Sequence, residues 1–379
     1  MIKNEVVKEL VHFSQNDYPV TSAYFTVDFK NGNHKTHIVE LKKMIRYKKN
    51  TTYFNHLTES EKKSILDDFE KIITWFDLEL DSSKYISSIC FSQSRTGFWK
   101  VINLKNPLEN ELVIQPKPYI YQLSKLFSDY SRYAVLLIDK SKARIFEQSL
   151  GDFKELYSVS DNAPESVKVG GFRGRQERKV ERNIHQGVVQ HYKEVSQKMF
   201  DLNKSHGFNW IVLGGHRESI GDFRKYLHDY VGTKVTAVVD IEPHAPLNDV
   251  FEKVHKASKD ARLKFEEKLL EDFSNRKETN RAVVGIEAIL PKLRENWIDT
   301  LLIYESYQRK GVFCRHCPYM DLSPQVECPE HGGPLERTQN IIEHMLHNAL
   351  LQGVDIQFIR QPMEKYGHLA ATLRYPIQR

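Results

Sequence analysis

Cysteine is scarce in this chain, four in 379 residues, which excludes a small secreted scaffold built on disulfides. Long apolar runs are missing as well. The stretch "YAVLLI" at 133–138 is of strand length, so no membrane-spanning helix is expected. The start, "MIKNEVVKELVHF", mixes acids with bases and has no apolar core of a secretory signal. A cytoplasmic location follows as the expectation. There is no internal repeat and no low-complexity tract. The G-x-S-x-G and H-E-x-x-H patterns of common hydrolases do not occur, nor does the G-x4-G-K-[ST] of a phosphate-binding loop. The sixteen histidines are scattered, and His185, His191, His216 and His228 have no acid or nucleophile at a fixed spacing. "GGHRE" (214–218) follows a strand pattern and reads as a tight turn or an anion-binding one.

What is present describes a folded protein. Charged residues make up 28% with both signs mixed, hydrophobic residues 40%, and the formal net charge is +5. That balance permits a polyanionic partner without requiring one. The length predicts two or three domains, and the patterns place them at 1–128, 129–275 and 276–379.

The first segment reads as α+β. Residues 21–29 alternate as a strand, and 57–80 carry a Thr-Glu-Ser-Glu start signal before apolar residues at helical spacing. Residues 85–93 and 97–104 form a hairpin pattern. Pro107, Pro116 and Pro118 mark a linker. The second segment opens on a hairpin (133–149). A polar loop leads to a helix of about seven turns from Gln176, with Val180, Ile184, Val188, Tyr192, Val195 and Met199 in steps of three and four. Strands at 209–215 and 234–241, a helix at 223–231 and a long charged helix at 246–275 suggest a mainly parallel, covered sheet. Residues 274–280 suit a hinge. The third segment reads as helix, strand (299–306), cysteine-bearing insert, helix stopped by Gly353, and two strands. The expected fold class is thus α/β together with α+β.

Two constellations carry chemistry. The insert "CRHCPYMDLSPQVECPEH" spaces C-x2-C, ten residues, then C-x2-H. Two short-spaced pairs converge into the tetrahedral set that zinc prefers. The ligands would be Cys314, Cys317, Cys328 and His331, a closed shell and hence a structural metal. His316, inside the first pair, is an awkward competitor. The second constellation is "GGFRGRQERKVERNIHQ" (170–186), where Arg173, Arg175, Arg178, Lys179 and Arg182, with Lys168 just before, face only Glu177 and Glu181. A cationic glycine-rich loop opening a helix can track phosphates. A solvated surface helix would show the same composition.

The order of these features resembles the class I release factors of archaea and eukaryotes and their ribosome-rescue relative Pelota, and more closely the bacterial families built on that plan. The resemblance rests on the Gly-rich loop with its glutamine, on "AVVGIEAILPKLRENWIDTLLIYES", on "CPEHGGPLE" and on "HLAATLRY". It is most specific over 280–379, covers 130–275, and is weak before 125, where no NIKS motif occurs. It implies a three-domain architecture with a small zinc-ribbon-like insert in the C-terminal domain. It also implies that Gly174, Arg175 and Gln176 stand at the family's GGQ tip, which enters the peptidyl transferase centre. Arg175 replaces the middle glycine. The implied activity is codon-independent hydrolysis of the peptidyl-tRNA ester. The implied partners are large-subunit ribosomal RNA, peptidyl-tRNA and a translational GTPase, with no membrane. The alternative is a non-hydrolytic, Pelota-like rescue or remodelling factor.

Overall fold

A computed structural model of the chain describes residues 5–13, 18–27, 34–129, 132–149, 152–160 and 174–377. The chain divides into two compact units, one made of Met1–Asp129 with Phe273–Arg379 and the other of Tyr130–Asp272.

In the first unit, the N-terminal part runs α1 (Glu5–Val11), β1 (Val20–Thr26), α2 (His34–Lys49), α3 (Thr52–His56), α4 (Glu59–Thr74), β2 (Ser87–Gln93), β3 (Phe98–Leu104), β4 (Glu111–Gln115) and α5 (Tyr121–Asp129). The start of α4 follows from its sequence. Thr58 accepts from the Glu61 backbone N–H and the Glu61 side chain accepts from Thr58 N at 2.7 Å, a reciprocal cap. The sheet is antiparallel in the order β3-β2-β1-β4. Strand alternation sends Ala23 and Phe25 towards Ile38, Leu41 and Ile45 of α2 and Ile65, Phe69 and Ile72 of α4. Tyr24 points to the opposite face, edge-on to Phe91 and Tyr119. The proline-marked stretch is more than a linker, since β4 pairs with β1 from Gln115 to Glu111. Prolines outside the paired residues leave an edge strand intact.

A buried carboxylate fixes α4 on this sheet. Asp68 accepts from Thr21 Oγ1 (2.8 Å), Ser92 Oγ (2.7 Å), Ser94 N (2.7 Å) and Ser94 Oγ (2.6 Å). Removing it strands several buried donors, each costing about 1–3 kcal/mol. Asp68→Ala is expected to lower stability by roughly 3 kcal/mol, read from the urea midpoint of the full chain.

The second unit holds β5 (Tyr133–Ile138), β6 (Lys142–Ser149), β7 (Asp152–Ser160), α6 (Gly174–His206), β8 (Trp210–Gly214), α7 (Arg217–Phe223), α8 (Asp229–Gly232), β9 (Val235–Val239) and most of α9 (Leu247–Glu278). Its sheet order is β7-β6-β5-β8-β9. The sheet is mixed, not mainly parallel. β5–β8 and β8–β9 are parallel, whereas β5–β6 and β6–β7 are antiparallel, with β7 falling in the stretch expected to be a polar loop. Alternation along β5 builds both cores. Ala134, Leu136 and Ile138 meet Tyr192, Val195 and Met199 of α6. Tyr133, Val135 and Leu137 meet Val250, Val254 and Ala261 of α9. The helix expected over 223–231 is not formed, since α7 ends at Phe223, turns follow and α8 starts at Asp229, and the expected hinge at 274–280 is helical through Glu278.

The C-terminal part of the first unit contributes β10 (Ala282–Val284), α10 (Ile286–Arg294), β11 (Ile298–Tyr304), β12 (Gly311–Cys314), β13 (Met320–Asp321), β14 (Leu335–Thr338), α11 (Ile341–Leu351), β15 (Asp355–Ile359) and β16 (Leu369–Leu373). Its main sheet is β10-β16-β11-β15, and the insert is a separate small sheet, β13-β12-β14. Asn340 caps α11 through Ile342 N at 3.2 Å, and Gly353 ends it with φ +70°.

Candidate functional site

Of the two constellations, the basic one is defined by α6. This helix has 33 residues and starts at Gly174. Gln176 therefore lies in its first turn, and Arg175 has helical backbone, a conformation arginine adopts without strain. The side chains of 174–181, which include Arg175, Gln176, Arg178 and Lys179, and the residues Lys168 and Arg173 lie outside the described set. Arg182 is exposed.

The described part of the helix is anchored through its later turns. Tyr192, 1% exposed, packs edge-on against Phe223 at 5.6 Å, and Val195 and Met199 continue the buried stripe. Among the described side chains of α6, none before His191 is buried. At 1.5 Å per residue, the tip is carried about 25 Å beyond the first buried turn. A helix start has unpaired N–H groups and a positive dipole end that suit an anionic partner.

In the cysteine insert, the four expected ligands converge. The ligand atoms of Cys314, Cys317, Cys328 and His331 all lie within 4.8 Å of one another. Cys314 Sγ is 2.9 Å from His331 Nε2, and Cys317 Sγ is 3.5 Å from Cys328 Sγ. The backbone prepares both turns. His316 N donates to Cys314 Sγ at 3.3 Å, and Gly332, at φ +71°, lets the chain fold back so that its N–H reaches the Cys328 carbonyl at 2.8 Å. No cysteine is in a disulfide. Burial pushes the Cys317 thiol up to about 12, and the neighbouring Cys328 and Cys314 thiols push the same way. A central divalent cation would relieve that crowding, because a coordinated thiol is held deprotonated. The donor set fits zinc with all four positions filled by protein, which suits a structural role. His316 is exposed and outside the quartet, its ring 5.8 Å from that of His331.

Two further features stand apart. On α2, Lys42, Lys43, Arg46 and Lys49 are exposed beside Tyr47, itself 71% exposed. The signal was visible in "LKKMIRYKK", but without a helix assignment these residues could not be placed on one surface. At the end of β8, the "GGHRE" turn holds His216 against Glu242, Nε2 to Oε1 at 2.6 Å, with His244 Nε2 3.0 Å from the other carboxylate oxygen.

Residues 118–259 match the family described as bacterial archaeo-eukaryotic release factor family 10. That match and the curated relatives make the chain similar to the archaeo-eukaryotic-type release factors. It is 22% identical over 303 residues to peptide chain release factor subunit 1 of Methanococcus maripaludis strain C5, covering 69% of this chain and 72% of that one. The corresponding protein of Methanocaldococcus jannaschii is 21% identical over 292 residues, covering 68% and 69%. Among solved structures, the archaeal Pelota in a model of ribosome-bound archaeal Pelota and ABCE1 is 14% identical, covers 77% of this chain and 78% of its own, and has a TM-score of 0.42. The family match and the curated relatives together support a release-factor-like chain. No helix among the described residues is long and apolar enough to cross a membrane.

Proposed function

We propose that this protein releases peptides from stalled ribosomal particles without reading a codon. The observation that supports the reading is the length of α6, which starts at Gly174 and whose first buried side chain among those described is His191. The substrate is the ester between a nascent peptide and tRNA. Water adds to the ester carbonyl, the tetrahedral oxyanion collapses, and the tRNA 3′-oxygen leaves with a proton. The Gln176 amide serves this step by donating an N–H to the oxyanion or by orienting the water through its oxygen. The ribosome supplies the rest of the site. Lys168, Arg173, Arg178, Lys179 and Arg182 neutralise ribosomal RNA phosphates around the tip. The exposed cationic face of α2 supplies a further RNA contact. Zinc at Cys314, Cys317, Cys328 and His331 has no chemical step. A translational GTPase is the expected protein partner of the C-terminal domain, by analogy with the family.

Arg175 in place of the family's middle glycine favours a second reading, a Pelota-like factor that occupies the particle without cutting the ester. Single-turnover release from purified stalled particles separates the two. Release at equal rates with stop, sense or empty decoding sites is the expected result, and strict dependence on stop codons would refute it. Binding is expected to weaken steeply with salt. Charge reversal at Lys42, Lys43 and Arg46 should lower affinity and reduce the slope of log K against log salt by about one for each phosphate no longer neutralised.

A further inference from the structure

We propose that the metal-binding insert is a latch, holding the chain segment that leaves the N-terminal sheet against α11. Metal occupancy at the four ligands then sets the order of a segment that contains none of them.

The segment is 115–121, and α11 grips it with buried polar groups. Glu343 Oε1 accepts from Ile120 N at 2.9 Å and from Gln115 Nε2 at 3.4 Å. His347 Nε2 lies 2.8 Å from the Pro118 carbonyl oxygen. Tyr121 hydroxyl reaches the carbonyls of Glu305 (3.4 Å) and Tyr307 (3.3 Å). One residue further along the same helix, the contacts turn to the insert. The His344 ring stacks on Phe313 at 3.6 Å, and Asn348 Nδ2 donates to the Pro318 carbonyl at 3.4 Å. A cavity of about 30 Å³ is walled jointly by Gln115, Lys117, Cys314, Cys317, His344 and His347. The insert also lies near α3, where the Arg315 charge acts on the Tyr53 hydroxyl.

Two properties make this seam conditional on the metal. The insert has little core of its own. Its buried cluster is Cys314, Tyr319 and Cys328 with Cys317 and Leu335 against it, so three of five members are ligands and its folding is bound to metal binding. Its tightest fit lies where it meets α11. At Gly311 a Cβ would stand 2.5 Å from Ile341 Cδ1 and 2.8 Å from the Asp321 carbonyl oxygen. The grip itself is incompletely satisfied. Glu343 Oε2 and His347 Nδ1 are buried without a hydrogen-bond partner, and such atoms favour any state that lets water reach them. Phe313 and other insert residues line the same cavity as His347. Losing the metal disorders the insert, uncovers the cavity and frees the segment.

Hydrogen exchange of the full chain, with stoichiometric zinc and after removing it with a chelator, tests this. Peptides covering 115–121 and 341–348 are expected to lose protection at least tenfold along with the insert, while β5 and β8 stay unchanged. Phe313→Ala should keep one zinc per chain yet loosen 115–121, which decides the matter even if chelation unfolds the whole first unit. Protection loss confined to 311–338, or a zinc-loaded Phe313→Ala chain with wild-type exchange at 115–121, would overturn the latch. Purified protein with far less than one zinc per chain would overturn the metal assignment and the latch with it. None of these readouts depends on peptide release.

Discussion

Gln176→Ala should slow single-turnover peptide release by roughly 10²–10³-fold, the usual loss when one donor to a tetrahedral oxyanion is removed. Ribosome binding should change little, because the cationic residues flanking the tip remain. The contrast with Arg175→Gly is informative. Arg175 is helical and unstrained in the free protein, so restoring glycine there tests whether the tip must leave the helix on the ribosome. Faster release by the glycine variant would mean that arginine resists that change, and slower release that arginine holds a phosphate. Wild-type release that Gln176→Ala leaves untouched would end the catalytic assignment and favour the non-hydrolytic reading.

The largest structural effect is expected from Gly215→Ala. Gly215 has φ +148°, and a Cβ there would lie 2.3 Å from the Ile138 carbonyl oxygen. Neither problem is cheap to relieve, because the obstacle is the backbone of the neighbouring central strand. Strain of about 1–3 kcal/mol in φ adds to a comparable cost of overlap. The expected loss is on the order of 4 kcal/mol, read as a lowered urea midpoint of the middle unit. Gly221→Ala is the control, with nothing within 4 Å of the added carbon. A Gly215→Ala variant within about 1 kcal/mol of wild type would refute the argument.

Residues that act on near neighbours in sequence were the legible ones. The Thr58–Glu61 cap, the alternation in β5 and the stripe through Tyr192 need only local pattern. The quartet converges from 314–331, a span short enough for spacing alone to reveal it. Elements whose faces are dictated by distant partners were missed. β4 sits among prolines and is a strand because β1 offers it an edge. β7, "DFKELYSVS", is polar and is defined by pairing with β6. The grip of Glu343 and His347 on 115–121 spans 223 and 229 residues, and no window of sequence contains both sides of it. The tip lies at the other extreme, since spacing says nothing about a glutamine and only the resemblance singled it out.

The discontinuous first unit has a consequence for synthesis on the ribosome. Ile120 is made 223 residues before its partner Glu343. At roughly 5–20 residues per second, that leaves about 10–45 s of translation between the two. The middle unit, continuous from Tyr130 to Asp272, can complete its sheet during that interval. The segment carrying Tyr119, which packs on Tyr24 of the N-terminal sheet, cannot gain its Glu343 contact until α11 has emerged. A nascent chain paused between residues 272 and 341 would therefore display Tyr119 and Tyr121 without that grip to chaperones, while its middle unit is already complete.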